Sequence, residues 1–293
     1  MNARRSPTIR RRRLGAELRR HREAAGVTID VVAEGLGFSP SKVSRIETGH
    51  NSATPRDVAE LLSFYGVETR EAEELVQIAR EARQKGWWHP YSTVLVGAYV
   101  GLEAAARGLR TYEQQVIPGL LQTEEYALAM MRVARSSDTP KEIDRRVHVR
   151  LARQSLLTQD DAIDLHVVLD EAVLSRPVGG DGVMRDQLAR LIEVQGQPNV
   201  TLQVLPFAAG AHAGMDGPFT ILDFPEQGDA DLVYAENATG GLFLEKEEEL
   251  TKYHAIFDAL ASTALGVEES TKMLEMLMEE PLWRSRPRDS GST

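Results

Sequence analysis

With 293 residues, 42% hydrophobic composition and a formal net charge of −10, the chain is long enough for two domains with buried cores, and its overall acidity argues against a general nucleic-acid binder. The absence of cysteine excludes disulfides, thiolate nucleophiles and cysteine-ligated zinc or iron–sulfur sites. No apolar run reaches the length of about 18 residues that a membrane span needs, and no apolar segment follows the arginine-rich N-terminus, so the sequence predicts a cytoplasmic protein with no membrane contact.

Residues 1–9 read as a basic, flexible leader containing Arg4 and Arg5. The run Arg10–Arg13 that follows has two readings, an arm reaching along a DNA backbone or into a minor groove, and a solvated leader. Leu14, Leu18 and Ala25 then mark an amphipathic helix. Thr28 is a good N-cap for a second helix, with Val31, Val32 and Leu36 as its apolar positions, and Gly37 breaks it. Phe38 adds an apolar residue to the turn, Ser39 caps a third helix, and Pro40 sits at its first position, where a missing N–H does no harm. Val43 and Ile46 face inward at a spacing of three, while Ser41, Lys42, Ser44, Arg45 and Thr48 project outward, all small or basic, with no carboxylate to repel phosphate. Gly49 supplies a left-handed residue at the end of this helix. Thr54-Pro55-Arg56-Asp57 reads as N-cap, helix-starting proline and capping-box carboxylate ahead of Val58, Leu61, Leu62 and Phe64. Residues 1–56 carry twelve basic and five acidic side chains, a surplus of seven, which leaves −17 on the remainder. A basic head on an acidic body suits a protein that meets phosphate with one end only.

The core Leu36-Gly-Phe-Ser-Pro-Ser-Lys-Val-Ser-Arg-Ile-Glu47 resembles the Xre-type, lambda-repressor-like DNA-binding domain, and the likeness extends over residues 10–67. Many members carry glutamine at the start of both helices of the motif, where this chain has Ile29 and Pro40. Direct readout is therefore expected to shift to Arg45 on a guanine, with Ser41 or Lys42 as a second base-edge contact. Thr28, Ser39, Ser44 and Thr48 are expected to hold phosphates, with Ser39 also capping its helix. Lys42 has a second reading as a solvated lysine. The resemblance further implies that Arg22 and Glu47 tie the first helix to the third.

Residues 68–86 read as a helical connector, with Leu75, Ile78, Ala79 and Ala82 on one face and Gly86 at its end. Residues 87–280 read as a mixed α+β domain with an antiparallel or mixed sheet, giving the whole chain a mostly α plus α+β class. Helices are predicted at 98–110, 123–135, 140–158, 181–195, 245–264 and 267–279, and strands at 163–169, 200–205, 218–224 and 231–236, with a further short one at Leu242-Phe-Leu. Residues 281–293 read as a disordered tail.

Segments of this second part, among them Trp87-Trp88-His89, Arg110-Thr-Tyr-Glu, Pro118-Gly-Leu-Leu-Gln-Thr-Glu-Glu-Tyr-Ala, Arg150-Leu-Ala-Arg-Gln, Leu169-Asp-Glu-Ala-Val-Leu and Arg176-Pro-Val-Gly-Gly, resemble the C-terminal domain of actinobacterial WhiJ-like regulators. That resemblance implies an antitoxin-like transcription factor, in many cases encoded beside a small acidic partner protein. Trp87, Trp88, Tyr91, Arg110, Tyr112, Gln122, Tyr126 and Arg150 are candidates to line a ligand or peptide site, against the alternative that the aromatic residues simply form core. Asp170-Glu171 follows a strand in the manner of an acid–base pair, yet neighbours on a strand point to opposite faces, and no nucleophile, metal or phosphate motif accompanies them. The expectation is a non-enzymatic regulator without cofactor or metal, associated with the nucleoid. Its expected partners are double-stranded DNA, a second copy in a homodimer, and a small acidic protein or small-molecule effector. The 68–85 helix or the face of Met273, Leu274, Leu277 and Met278 is expected to supply the dimer contact, with core packing as the alternative for the latter.

Overall fold

The computed structural model describes residues 7–49, 53–82, 99–225, 231–237, 240–281 and 283. These fall into two compact units, one holding α1 to α6 and the other everything from β1 onward.

The first unit is helical: α1 (Pro7–Ala24), α2 (Ile29–Leu36), α3 (Pro40–Glu47), α4 (Pro55–Phe64), α5 (Thr69–Ala82) and the short α6 (Tyr99–Glu103). Local chemistry sets most of the boundaries. Thr28 accepts from Val31 N, Ser39 accepts from Lys42 N, and Thr54 and Asp57 complete a reciprocal capping box. Gly37 ends α2 at φ 66°, a left-handed conformation that returns its own N–H to the last turn. Leu14, Leu18, Val32, Val43, Ile46, Val58, Leu61, Leu62, Leu75 and Ala79 share one buried core. Val31 is exposed, because Val32 and Ala33 take the inward positions of α2, and Phe64 is also partly exposed.

Two expectations change here. α1 begins at Pro7, so the Arg10–Arg13 run is helical and not an arm; Arg10 pairs with Glu81 of α5 at 2.9 Å. The segment expected as a connector forms α5, whose Leu75, Ala79 and Ala82 are buried, so its apolar face is spent on packing inside this unit and not on a dimer.

α1 and α3 meet backbone to backbone at Gly15. A Cβ there would stand 2.5 Å from the carbonyl oxygen of Glu47 and 2.6 Å from that of Ile46. Gly15→Ala is therefore expected to force the helices apart and destabilise the protein by roughly 1–3 kcal/mol in urea unfolding followed by circular dichroism. An unchanged midpoint would show that this close approach is not required.

The second unit contains one six-stranded mixed sheet in the order β3-β2-β1-β4-β5-β6. Its strands are β1 (Gly108–Glu113), β2 (Asp164–Asp170), β3 (Val200–Leu205), β4 (Phe219–Asp223), β5 (Leu232–Asn237) and β6 (Gly240–Leu244). The first three run parallel, while β4, β5 and β6 continue antiparallel. The helices are α7 (Glu124–Ala134), α8 (Pro140–Ala152), α9 (Glu171–Ser175), α10 (Asp181–Gln195), α11 (Glu247–Thr263) and α12 (Val267–Glu279). Val168, Leu205, Phe219, Ile221 and Val233 on one face of the sheet pack with Phe257 and Leu260 of α11.

A helix over 98–110 is not formed. It stops at Glu103, and Gly108–Glu113 becomes the central strand, because Leu109 and Tyr112 are needed in the two cores that flank the sheet. Leu274 and Leu277 of α12 are buried, which settles that helix as core packing. The proposed tail is docked where it begins: Pro281 is buried, and Trp283 Nε1 donates to Asp181 Oδ1 at 2.9 Å.

The edges of the sheet differ. At β3, Val204 N donates to Ser270 Oγ and its carbonyl accepts from Leu265 N, both at 2.9 Å. At β6, Gly240, Gly241 and Leu242 are exposed, Leu242 by 54%.

Candidate functional site

The helix-turn-helix face is built by α2, the Gly37-Phe38-Ser39 turn and α3. Val43 and Ile46 anchor α3 in the core, which turns Ser41 and Arg45 to the outside. Arg45 makes no hydrogen bond or ion pair among the described residues, and the same holds for Ser41. Thr48 differs: its hydroxyl donates to Ser44 O at 2.8 Å and so finishes the helix.

The Lys42 side chain is 37% exposed and reaches toward the start of α4. Its Nζ lies 2.8 Å from Asp57 Oδ1 and 3.4 Å from the centre of the Phe38 ring. Burial works against the Asp57 carboxylate, but hydrogen bonds from Lys42 and Thr54 outweigh it and hold the pKa below its ordinary value. This lysine joins α3 to the start of α4. Sequence spacing alone places it on the outer face, and its partner Asp57, fifteen residues away on the next helix, is not visible in that spacing.

Arg22 and Glu47 form a two-pronged pair, Nε to Oε1 at 2.7 Å and Nη2 to Oε2 at 3.0 Å, while Nη1 donates to Val27 O. The Glu47 side chain is only 3% exposed, so the pair is a clasp between α1 and α3, withdrawn from solvent. The hydrogen bond to Glu47, set against burial, raises the Arg22 pKa.

In the second unit the predicted ligand residues are dispersed. Trp87, Trp88 and Tyr91 lie outside the described residues. Arg110 and Tyr112 share the sheet face covered by α11; Arg110 pairs with Asp223 at 2.8 Å, and the fully buried Tyr112 directs its hydroxyl to Asp170. Gln122, Tyr126 and Arg150 come together elsewhere: Arg150 Nη1 donates to Gln122 Oε1 at 2.8 Å, Gln122 Nε2 to Ile117 O, and Ile117 N to the Tyr126 hydroxyl. Asp170 and Glu171 are caps. Asp170 Oδ1 accepts from Ala172 N and Glu171 Oε2 from Phe207 N. No helix among the described residues is long and apolar enough to cross a membrane.

A five-helix core that holds two short capped helices across a glycine turn defines a helix-turn-helix protein, the class whose second helix enters a DNA groove. Residues 13–75 match the model of a helix-turn-helix domain. Residues 96–276, more than half the chain, match the domain of unknown function DUF5753, and the protein belongs to that family. No curated protein and no solved structure matches it.

Proposed function

We propose that this protein is a sequence-specific transcriptional regulator of the Xre-type, WhiJ-like kind, reading DNA with α3. The observation that carries this reading is Arg45, exposed on a helix otherwise anchored by Val43 and Ile46 and without a partner among the described residues. A guanidinium so placed suits the O6 and N7 acceptors of guanine, with Ser41 as its neighbour on the base edges. Thr28, Ser39, Ser44 and Thr48 would contact phosphates and set the register. Two heads on an inverted repeat would double the contacts, so a homodimer on double-stranded DNA is part of the proposal. A small molecule or a small acidic protein bound by the second unit would alter DNA affinity. The antitoxin-like alternative, sequestration of a small partner with DNA binding reserved for the protein's own promoter, shares the same heads and differs in the partner.

The test is selection of bound sequences from random duplexes, followed by affinity measurements on the selected site. Arg45→Ala is expected to lose roughly 1–3 kcal/mol of discrimination at one base pair and to relax the preference there. Equal specificity in Arg45→Ala and in Ser41→Ala would remove this face from the reading. Co-purification of a small acidic protein, with binding confined to the chain's own promoter, would favour the antitoxin-like alternative.

A further inference from the structure

α3 carries two cations, Lys42 and Arg45, three residues apart and so neighbours on the helix surface, about 5–6 Å from Cβ to Cβ. Arg45 is exposed and has no partner among the described residues, whereas Lys42 is half-buried and drawn aside. A lysine released from that position would reach the phosphates flanking any groove that Arg45 enters. Phosphate contacts supply affinity for every sequence alike, so whether Lys42 is free or held changes how the protein meets DNA as a polyanion.

Three elements hold it. The ammonium group sits over the Phe38 ring of the turn, and it donates to Asp57 Oδ1 in the first turn of α4. The other carboxylate oxygen, Oδ2, accepts from Thr54 N at 3.2 Å, while Asp57 N donates to Thr54 Oγ1 at 3.0 Å. With both oxygens engaged, the carboxylate cannot turn to follow a lysine that swings away. An exposed ion pair by itself holds a side chain weakly, but here the ring contact and the fixed acceptor add to it. A phosphate that captured Lys42 would also leave the Asp57 carboxylate, 17% exposed, without its cation and beside a second anion. The arrangement therefore favours Asp57 over phosphate as the partner of Lys42.

We propose that Asp57 is an internal substitute for DNA phosphate: it retains Lys42 in the complex as in the free protein, so that α3 meets DNA with Arg45 as its single cation. The pair releases no counterion on binding. Affinity for every duplex is thereby held down by the same factor, while the choice of base stays with Arg45 and Ser41. Asp57 thus tunes binding without touching DNA. This assignment rests on the reading of α3 as the DNA-contacting helix and adds a restraint to it.

The experiment measures binding of the full chain to its selected duplex and to a scrambled duplex of equal length, over about 50 to 200 mM salt. Asp57→Asn keeps an acceptor for Thr54 N and removes the charge that holds Lys42. Its plot of log affinity against log salt is expected to be steeper than that of the wild type by about 0.9, which is about 3.5-fold more affinity lost over that range. At low salt it should bind both duplexes more tightly, by the same factor. The double variant Lys42→Met with Asp57→Asn, in which both charges are gone, should return to the wild-type slope, and it tests the point independently of the stability of the single variant. A purely structural brace would lower the melting temperature and leave every slope alone. An unmoved slope in Asp57→Asn would overturn the proposal. So would a double variant shallower than wild type by about 0.9, because Lys42 would then already be a phosphate contact. Tightening confined to the selected duplex would make Lys42 a base reader and overturn it too. If the wild-type chain selects no sequence, the regulator reading fails and this one with it; if it selects one and the slopes stay put, that reading stands and this one fails.

Discussion

Replacing Glu47 by alanine is expected to destabilise the helical unit by about 3–5 kcal/mol, the usual result of removing one partner from a buried ion pair. The Arg22 guanidinium, 11% exposed in the intact protein, would lose both hydrogen bonds to Glu47 and keep Val27 O and a longer, 3.6 Å approach to Glu23. Loss of the carboxylate also frees the end of α3 from α1, where Gly15 already brings the helices into their closest approach. Urea unfolding of Glu47→Ala, Arg22→Met and the double variant gives the coupling directly. The double variant should recover much of the loss, because no charge remains stranded. A loss below about 1 kcal/mol in Glu47→Ala would class the pair with exposed salt bridges and refute the clasp.

Phe257→Ala is the second large effect, expected at about 3–5 kcal/mol because a fully buried aromatic leaves a cavity its neighbours only partly fill. The ring lies edge-on to His166 at 4.9 Å and to Phe219 at 6.5 Å, centre to centre, and is 1% exposed. It is the main contribution of α11 to the sheet. Calorimetry should show the transition of the sheet unit lowered by several degrees and that of the helical unit unchanged. Equal lowering of both transitions would mean that the two units unfold as one.

What the sequence made legible was local. Thr28, Ser39 and the Thr54–Asp57 box each act within four residues, and so the helix starts were readable from residue type and spacing. The Arg22–Glu47 clasp came from family resemblance and not from spacing, since 25 residues separate the partners. Long-range placement escaped the reading. Lys42 is drawn to Asp57 of the next helix, which a helical wheel of α3 alone places at random with respect to that carboxylate. The helix predicted over 98–110 takes in Gly108–Arg110, whereas the role of Gly108–Glu113 as a central strand depends on partners at 164–169 and 219–223.

The unequal edges of the sheet carry a consequence for assembly. Growth of a sheet into a fibre needs two open edges on each molecule, one to accept a strand and one to offer the next. Here Ser270 and Leu265 already occupy the hydrogen-bonding groups of Val204 on β3, while β6 presents Gly240, Gly241 and Leu242. Among the described residues the sheet therefore has one open edge. If two copies met along β6, the contact would be isologous and the closed β3 edges would lie at both outer ends, so extension would stop at a pair.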